Sequence, residues 1–389
     1  MNPETETQRR FLIYASLVWL ITFAIISLLV IDAPTKRSVV PVYIKAVENW
    51  VQKTDLYTLG NYHYLPQFVF IYYPFYILGS PLGDVVWRLI SLAIFVIGIW
   101  QLVNHLFSEQ RHYFFLVITL LVVTPTIGAL RNGQANLIFA GMLLLIVYFI
   151  LVKRWWVVSF LLVSLIMTKQ IGLVITGLVI FAYPQVALKI ALFTACWVLL
   201  PFVFSDHDYV ISQYISAIGE MTRAVGLKRS FADINGFLAL FGLKLEGLYS
   251  ISIRVFAGLL TLLTWLYIKS RFAERYIGMY LMVLSTGYLM LFHPMTEQNS
   301  YVIVSVPIAI FALMLHSDLN LKYKSYLLMS ICVSLGILPE LVRRLSPDFG
   351  MWYKPFSILV VFGFMLNTMR IFEGLSKQKV SAVHQQRPA

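Results

Sequence analysis

Two short polar runs, RNGQAN from Arg131 to Asn136 and HPMTEQNS from His293 to Ser300, each stand between apolar stretches long enough to cross a bilayer. Together they hold one carboxylate, one imidazole and three amides of interest: Glu297, His293, Gln134, Asn136 and Asn299. Polar groups at such helix ends must stay hydrated or find partners. A bundle with only structural duties has little need of them there, so the two runs read as parts of a catalytic face on a multi-span membrane protein. Helix capping and ordinary loop polarity are the plainer alternative for either run alone.

The elements that must position these groups follow from composition. With 59% hydrophobic residues, 12% charged residues and a mean hydropathy of +0.79, the chain cannot present a soluble surface, which normally carries about 25% charge. Cys196 and Cys332 both lie inside apolar runs, so neither a disulfide framework nor a metal site with ligand spacing is expected, and no cofactor is called for. The N-terminal MNPETETQRR followed by an apolar run reads as a retained first span. A net charge of +12 suits anionic lipid headgroups. The basic residues are scattered between apolar runs without a stripe of aromatics and cations, which argues against nucleic acid as a partner.

The expected fold is all-α: a single polytopic domain over 1–389 with about twelve spans, from 11–31 to 352–372. The stretch from Trp155 to Tyr183 is either one long tilted helix or two short ones broken around Lys169 and Gln170. Two short passes place Lys153, Arg154, Lys269, Arg271, Arg275, Lys322 and Lys324 on the side of a cytoplasmic N-terminus (1–10), as the positive-inside tendency expects. The first loop (32–84), RNGQAN, Lys169, the 205–250 loop and HPMTEQNS then share the outer face. The tail 373–389 is expected to be disordered in the cytoplasm.

Within the first loop, PVYIKAVENWVQ sets Tyr43, Val47, Trp50 and Val51 opposite Lys45, Glu48, Asn49 and Gln52, the pattern of an amphipathic helix on the membrane surface. LPQFVFIYYPFYILG, Leu65 to Gly79, holds Pro66 and Pro74 and is too short and broken for a confident span. It reads as re-entrant or interfacial. Trp50 and the tyrosines at 57, 62, 64, 72, 73 and 76 read as an interfacial aromatic belt in preference to a sugar-stacking platform.

A first span, a surface helix ending in a Tyr-containing turn, YHYLPQFVFIYYPFYILG, RNGQAN opening a span and Lys169 in MTKQ some 33 residues after GQAN: in this order the residues over roughly 10–200 resemble the family-87 glycosyltransferases. These are GT-C enzymes that use polyprenol-phosphate sugars and include mannosyltransferases. HPMTEQNSYV and the VPVY-like start of the surface helix resemble a divergent branch. The resemblance implies a bundle of many helices with the catalytic acid in an extracytoplasmic first loop. The family's acidic residue stands four positions before the tyrosine matched by Tyr43, and this sequence has Val39 there.

Inverting transfer from a lipid-phosphate sugar needs a carboxylate to take the acceptor's proton and polar or cationic donors to hold the departing phosphate. Glu297, in a short loop beside His293 and Asn299, and Asp32, at the exit of the first span, are the two candidate bases. Asp206 and Asp208 around His207 form a third acidic group that a solvated loop explains equally well. Phosphate candidates are Arg131, Lys169, Arg37, Lys228 and Arg229. An ammonium at 169 is costly unless it meets an anion or water, with snorkelling to the interface as the alternative. Gln134, Asn136, Asn299, Tyr43 and Tyr64 complete the donor-binding set.

The expected function is therefore transfer of a hexose, mannose among the options, from a polyprenyl-phosphate donor to a lipid or glycan on the outer face of the plasma (inner) membrane. A lipid-linked-sugar transporter or flippase fits less well, since the spans hold no clear Asp or Glu and show no repeat. A non-catalytic polyprenyl-phosphate-binding protein gains weight from Val39.

Overall fold

The computed structural model describes residues 3–58, 61–225 and 231–385, and every regular element among them is helical. All twelve expected apolar runs fold as helices. The first is α1 (Pro3–Asp32). The first loop follows it with α2 (Val40–Val51) and α3 (Phe68–Ile77). Then come α4 (Leu82–Leu106), α5 (Arg111–Asn132), α6 (Asn136–Leu151), α7 (Trp155–Thr168), α8 (Gly172–Ala182) and α9 (Ala187–Phe204). The second loop carries α10 (His207–Val225) and α11 (Ile234–Leu238). The chain finishes with α12 (Gly247–Arg271), α13 (Glu274–Phe292), α14 (Val302–Ser317), α15 (Lys322–Val342) and α16 (Phe349–Gln385).

Among the described residues nine helices are long and apolar enough to span a membrane, while α6, α7 and α8 have 16, 14 and 11 residues. Burial sorts them. The core windows of α13 and α14 are 83% and 89% buried, whereas those of α9 and α12 are 17% and 11% buried. A helix that is apolar all round belongs either in the core or against lipid, and the two pairs take the two roles. The stretch 155–183 is two helices: Lys169 is extended (φ −159°, ψ 123°), and Trp155 and Tyr183, at opposite ends of the stretch, bring their rings to 5.1 Å. The chain therefore reverses at Lys169.

That reversal gives the bundle two distinct ends. One gathers Lys153 with Glu274 at 2.9 Å, Lys269 over the Tyr183 ring and Arg275 with Asp318 at 3.1 Å. The other gathers RNGQAN, Lys169, HPMTEQNS and both long loops. Part of the tail extends the last helix. Residues 373–385 continue α16, and its first turns there are held where Glu373 accepts from Tyr267 (2.8 Å) and pairs with Lys377, and Ser376 accepts from the Ala273 amide (3.0 Å).

In α2, Tyr43 and Val47 are fully buried as expected, but Val51 is exposed and Asn49 is buried, its side chain donating to Asp55 O at 3.0 Å. The belt reading is corrected too. Trp50, Tyr57, Tyr62, Tyr64 and Tyr72 are buried, while Tyr73 is exposed. A tyrosine can leave water when its hydroxyl finds a partner. Here Tyr57 donates to Tyr64 O at 2.8 Å and Tyr62 to Leu65 O at 3.3 Å.

The bundle is pinned where α4 crosses α6. A Cβ on Gly141 would lie 2.6 Å from Phe95 N, and one on Gly98 2.8 Å from Gly141 O. Small residues allow this backbone approach. Gly141→Val is expected to force the two helices apart, with severe loss of monodisperse protein on size exclusion and a lowered Tm; Gly177→Val, with open space around it, is the matched control.

Candidate functional site

RNGQAN forms the turn between α5 and α6. Gly133 caps α5 at φ +69°, a conformation that suits glycine. A Cβ there would also meet Arg88 Nη2 at 2.7 Å. Two buried side chains of α4 hold the turn from beneath. Trp87 Nε1 donates to Gly133 O at 2.7 Å. Arg88 donates to Leu130 O (3.0 Å), Arg131 O (3.1 Å) and Ser38 Oγ (3.0 Å). A guanidinium thus satisfies the orphan carbonyls at the C-terminus of α5, where positive charge is favourable, and ties the first loop to it. The one signal for this in the sequence is an arginine inside an apolar run.

The turn aims its amides at a carboxylate and an ammonium. Gln134 Nε2 donates to Glu297 Oε2 at 3.2 Å, and Gln134 Oε1 accepts from Asn136 Nδ2 at 2.5 Å. Asn136 Nδ2 also reaches Ser300 Oγ at 3.2 Å, and its Oδ1 accepts from Lys169 Nζ at 2.5 Å. Acid, amide, amide and cation form one connected series drawn from three places in the chain. A second branch enters from the first loop. The Ala135 amide donates to Tyr43 Oη at 3.2 Å, and the Tyr43 and Tyr64 hydroxyls lie 2.7 Å apart. Tyr64 bonds Gln134 in turn. Burial raises the Tyr43 phenol well above its ordinary pKa, so both hydroxyls stay protonated and act as neutral donors.

Electrostatics separate the roles. Loss of water pulls the half-buried Lys169 ammonium down to about 8, while Glu297 pulls in the other direction. His293 is pushed down to about 3, first by loss of water and then by Lys169 and Arg254. Its Nδ1 accepts from the Met295 amide at 3.3 Å, which fits a neutral ring and makes the imidazole a support for the loop. Thr296 completes that support, donating to His293 O at 2.9 Å, and its carbonyl accepts from the Ala232 amide at 2.8 Å. Tyr301 Oη donates to Ala232 O at 2.9 Å. From α16, buried Lys354 donates to Gln298 O at 2.7 Å. The loop that carries Glu297 is thus held on three sides.

The other candidates make no side-chain hydrogen bond to this series among the described residues. Asp32 is exposed at the end of α1, and no hydrogen bond or ion pair joins it to this series among the described residues. Asn299 lies beside Gly128 of α5. Arg131 is half-buried and its backbone, not its guanidinium, is engaged by Arg88. Arg37 pairs with exposed Glu340 at 3.7 Å, and Asp206 pairs with exposed Lys53 at 2.5 Å. Asp208 is exposed, and Lys228 and Arg229 fall outside the described residues. Three contributors were not anticipated from sequence: Arg88, Arg254 and Lys354. Burial lifts Asp233 to about 6 although it caps α11 through the Asn235 and Gly236 amides.

Fold and site together define an all-helical, multi-pass membrane protein with a carboxylate and an ammonium joined through two amides at one end of its bundle. A model of glycosyltransferase family 87 matches residues 62–294, and the chain belongs to that family. It is a membrane glycosyltransferase. No curated protein matches the chain. The match takes in RNGQAN and Lys169 and reaches further toward the C-terminus than residues 10–200; it omits the first span, the surface helix and Glu297.

Proposed function

We propose that the protein transfers a hexose, with mannose the first sugar to try, from a polyprenyl phosphate to a hydroxyl of a lipid or glycan, on the extracytoplasmic face of the plasma (inner) membrane. The observation that carries this reading is the unbroken series Glu297–Gln134–Asn136–Lys169. Glu297 takes the proton from the acceptor hydroxyl as its oxygen bonds to the anomeric carbon. The bond from that carbon to the phosphate oxygen breaks, and the electron pair leaves with the polyprenyl phosphate. Lys169, with Arg131 nearby in the turn, meets the charge that grows there. Gln134 spans the two ends of the reaction, and Tyr43 and Tyr64 supply neutral donors to sugar hydroxyls. Val39, the N-cap of α2, cannot take a proton, which leaves that task to another residue.

The test is transfer from radiolabelled polyprenyl-phosphate hexoses to endogenous membrane acceptors. Label is expected in a lipid or glycan fraction only with membranes holding the protein and one of the phosphate-linked donors. Binding of such lipids without transfer from any of them would replace this reading with a lipid-binding or transport role.

A further inference from the structure

The second loop contains a helix built inside out. In α10 the buried positions are Val210, Gln213, Ala217 and Glu220, and the exposed ones include Ile211 (48% exposed), Ile215 (66%) and Ile218 (67%). The spacing of i, i+4 and i+7 puts the three isoleucines in one stripe. A helix lying between a protein and water does the reverse, turning apolar residues in and polar ones out. Here the polar groups turn inward because the first loop supplies their partners. Gln213 Oε1 accepts from the Leu56 amide at 2.9 Å. Glu220 Oε1 lies 3.0 Å from His63 Nδ1 and also pairs with Arg223. Tyr209 donates to Thr54 O at 2.8 Å.

The surroundings of the stripe say which apolar medium covers it. Tyr214 donates to Val198 O at 2.8 Å and accepts from Gln67, and Val198 lies six residues before the end of α9. The first half of α10 therefore runs alongside a membrane-spanning helix and not beyond it. On α9, Leu199, Val203 and Phe204 are 60%, 75% and 63% exposed, and only Ser205 and Asp206 separate this exposed apolar end of a span from the helix that carries the isoleucine stripe. Phe241, Leu248 and Tyr249, later in the second loop and at the start of α12, are exposed apolar residues as well. Charges flank the stripe, with Asp206 just before α10 and Asp208 in its first turn, and with the paired Glu220 and Arg223 after Ile218, as a helix at the boundary of headgroups and acyl chains requires.

We propose that α10 is a membrane-embedded surface helix whose Ile211, Ile215 and Ile218 side chains contact the acyl chains of the leaflet beside the site, while its polar inner face holds the segment from Leu56 to Gln67. The partner is the lipid bilayer. This assignment is independent of which donor the enzyme uses.

The experiment is collisional relaxation of nitroxides on the full chain in nanodiscs, in a Cys196→Ser, Cys332→Ala background. Labels placed by Ile211→Cys, Ile215→Cys and Ile218→Cys are compared with one placed by Asp208→Cys. Oxygen, which concentrates among acyl chains, is expected to relax the three stripe labels several-fold more than a water-soluble nickel chelate does, with the order reversed at 208. Equal access of the chelate at 215 and 218 would overturn the proposal. So would exclusion of both reagents, which would mean that a second copy or another protein covers the stripe. Should the labelled variants fail to fold, unmodified protein photolabelled by lipids with a diazirine in the acyl chain gives the same decision: the peptide spanning 209–223 carries the label, or the proposal fails.

Discussion

Glu297→Gln is expected to reduce sugar transfer by about 10²–10⁴-fold, the usual contribution of a positioned general base, while leaving donor binding close to that of the parent. The substitution keeps shape, and its amide can still meet Gln134, which now donates to Glu297 Oε2 at 3.2 Å. What it removes is the capacity to hold a proton. Because His293 stays neutral beside Lys169 and Arg254 and donates its strength to the loop, it is not expected to take over. Asp32→Asn, at an exposed position with no hydrogen bond to the amide series among the described residues, is expected to retain parental transfer. The checking measurement is single-turnover transfer at matched membrane abundance, alongside equilibrium binding of the donor lipid. Loss of transfer in Asp32→Asn with full activity in Glu297→Gln would move the base to the first loop and leave the family assignment untouched.

Much of this site was legible because helix ends constrain polar groups strongly. RNGQAN, Lys169 and HPMTEQNS are each short interruptions between apolar runs, and once Lys169 reverses the chain, alternation of passes brings all three to one end. What pattern could not show is which of the gathered groups touch. Gln134 lies in the turn between two helices, and its reach to Glu297, 163 residues away, depends on how α5, α6 and α14 pack. Arg88 went unread for a related reason. A single cation in an apolar run is easily taken for a snorkelling span end, whereas here it is buried because the carbonyls that end α5 and the Ser38 hydroxyl absorb its donors. The tyrosines of the first loop misled in the opposite sense. Periodicity and composition place them at an interface, but hydroxyl partners inside the loop let Tyr57 and Tyr62 enter the core. In α10 the polar face reads as the outer one until its partners, Leu56 and His63, are in view.

The remaining large effect falls on Lys169. Lys169→Met is expected to lower transfer by about 10²–10³-fold, as removal of a group that stabilises developing charge usually does, and, unlike Glu297→Gln, to weaken donor binding as well, because the phosphate is an anion before and after the bond breaks. The pH dependence separates this role from a structural one. Loss of water lowers Lys169 from 10.5 to about 8, so between about 8 and 10.5 the unfolded chain binds more protons at this group than the folded one, and the donor-free protein gains stability from it as pH rises through that window. Below about 8 both states carry the charge and the cost of keeping it out of water is paid in full. A bound phosphate reverses the preference by favouring the ammonium. Donor affinity is therefore expected to fall as pH rises through about 8, and Lys169→Met to abolish that fall together with the gain in stability. Donor binding and thermal unfolding measured from pH 7 to 10 check both. A parent whose donor affinity is flat across this range would deny the ammonium its place at the phosphate, and Arg131, the other cation of the turn, would be the group to replace next.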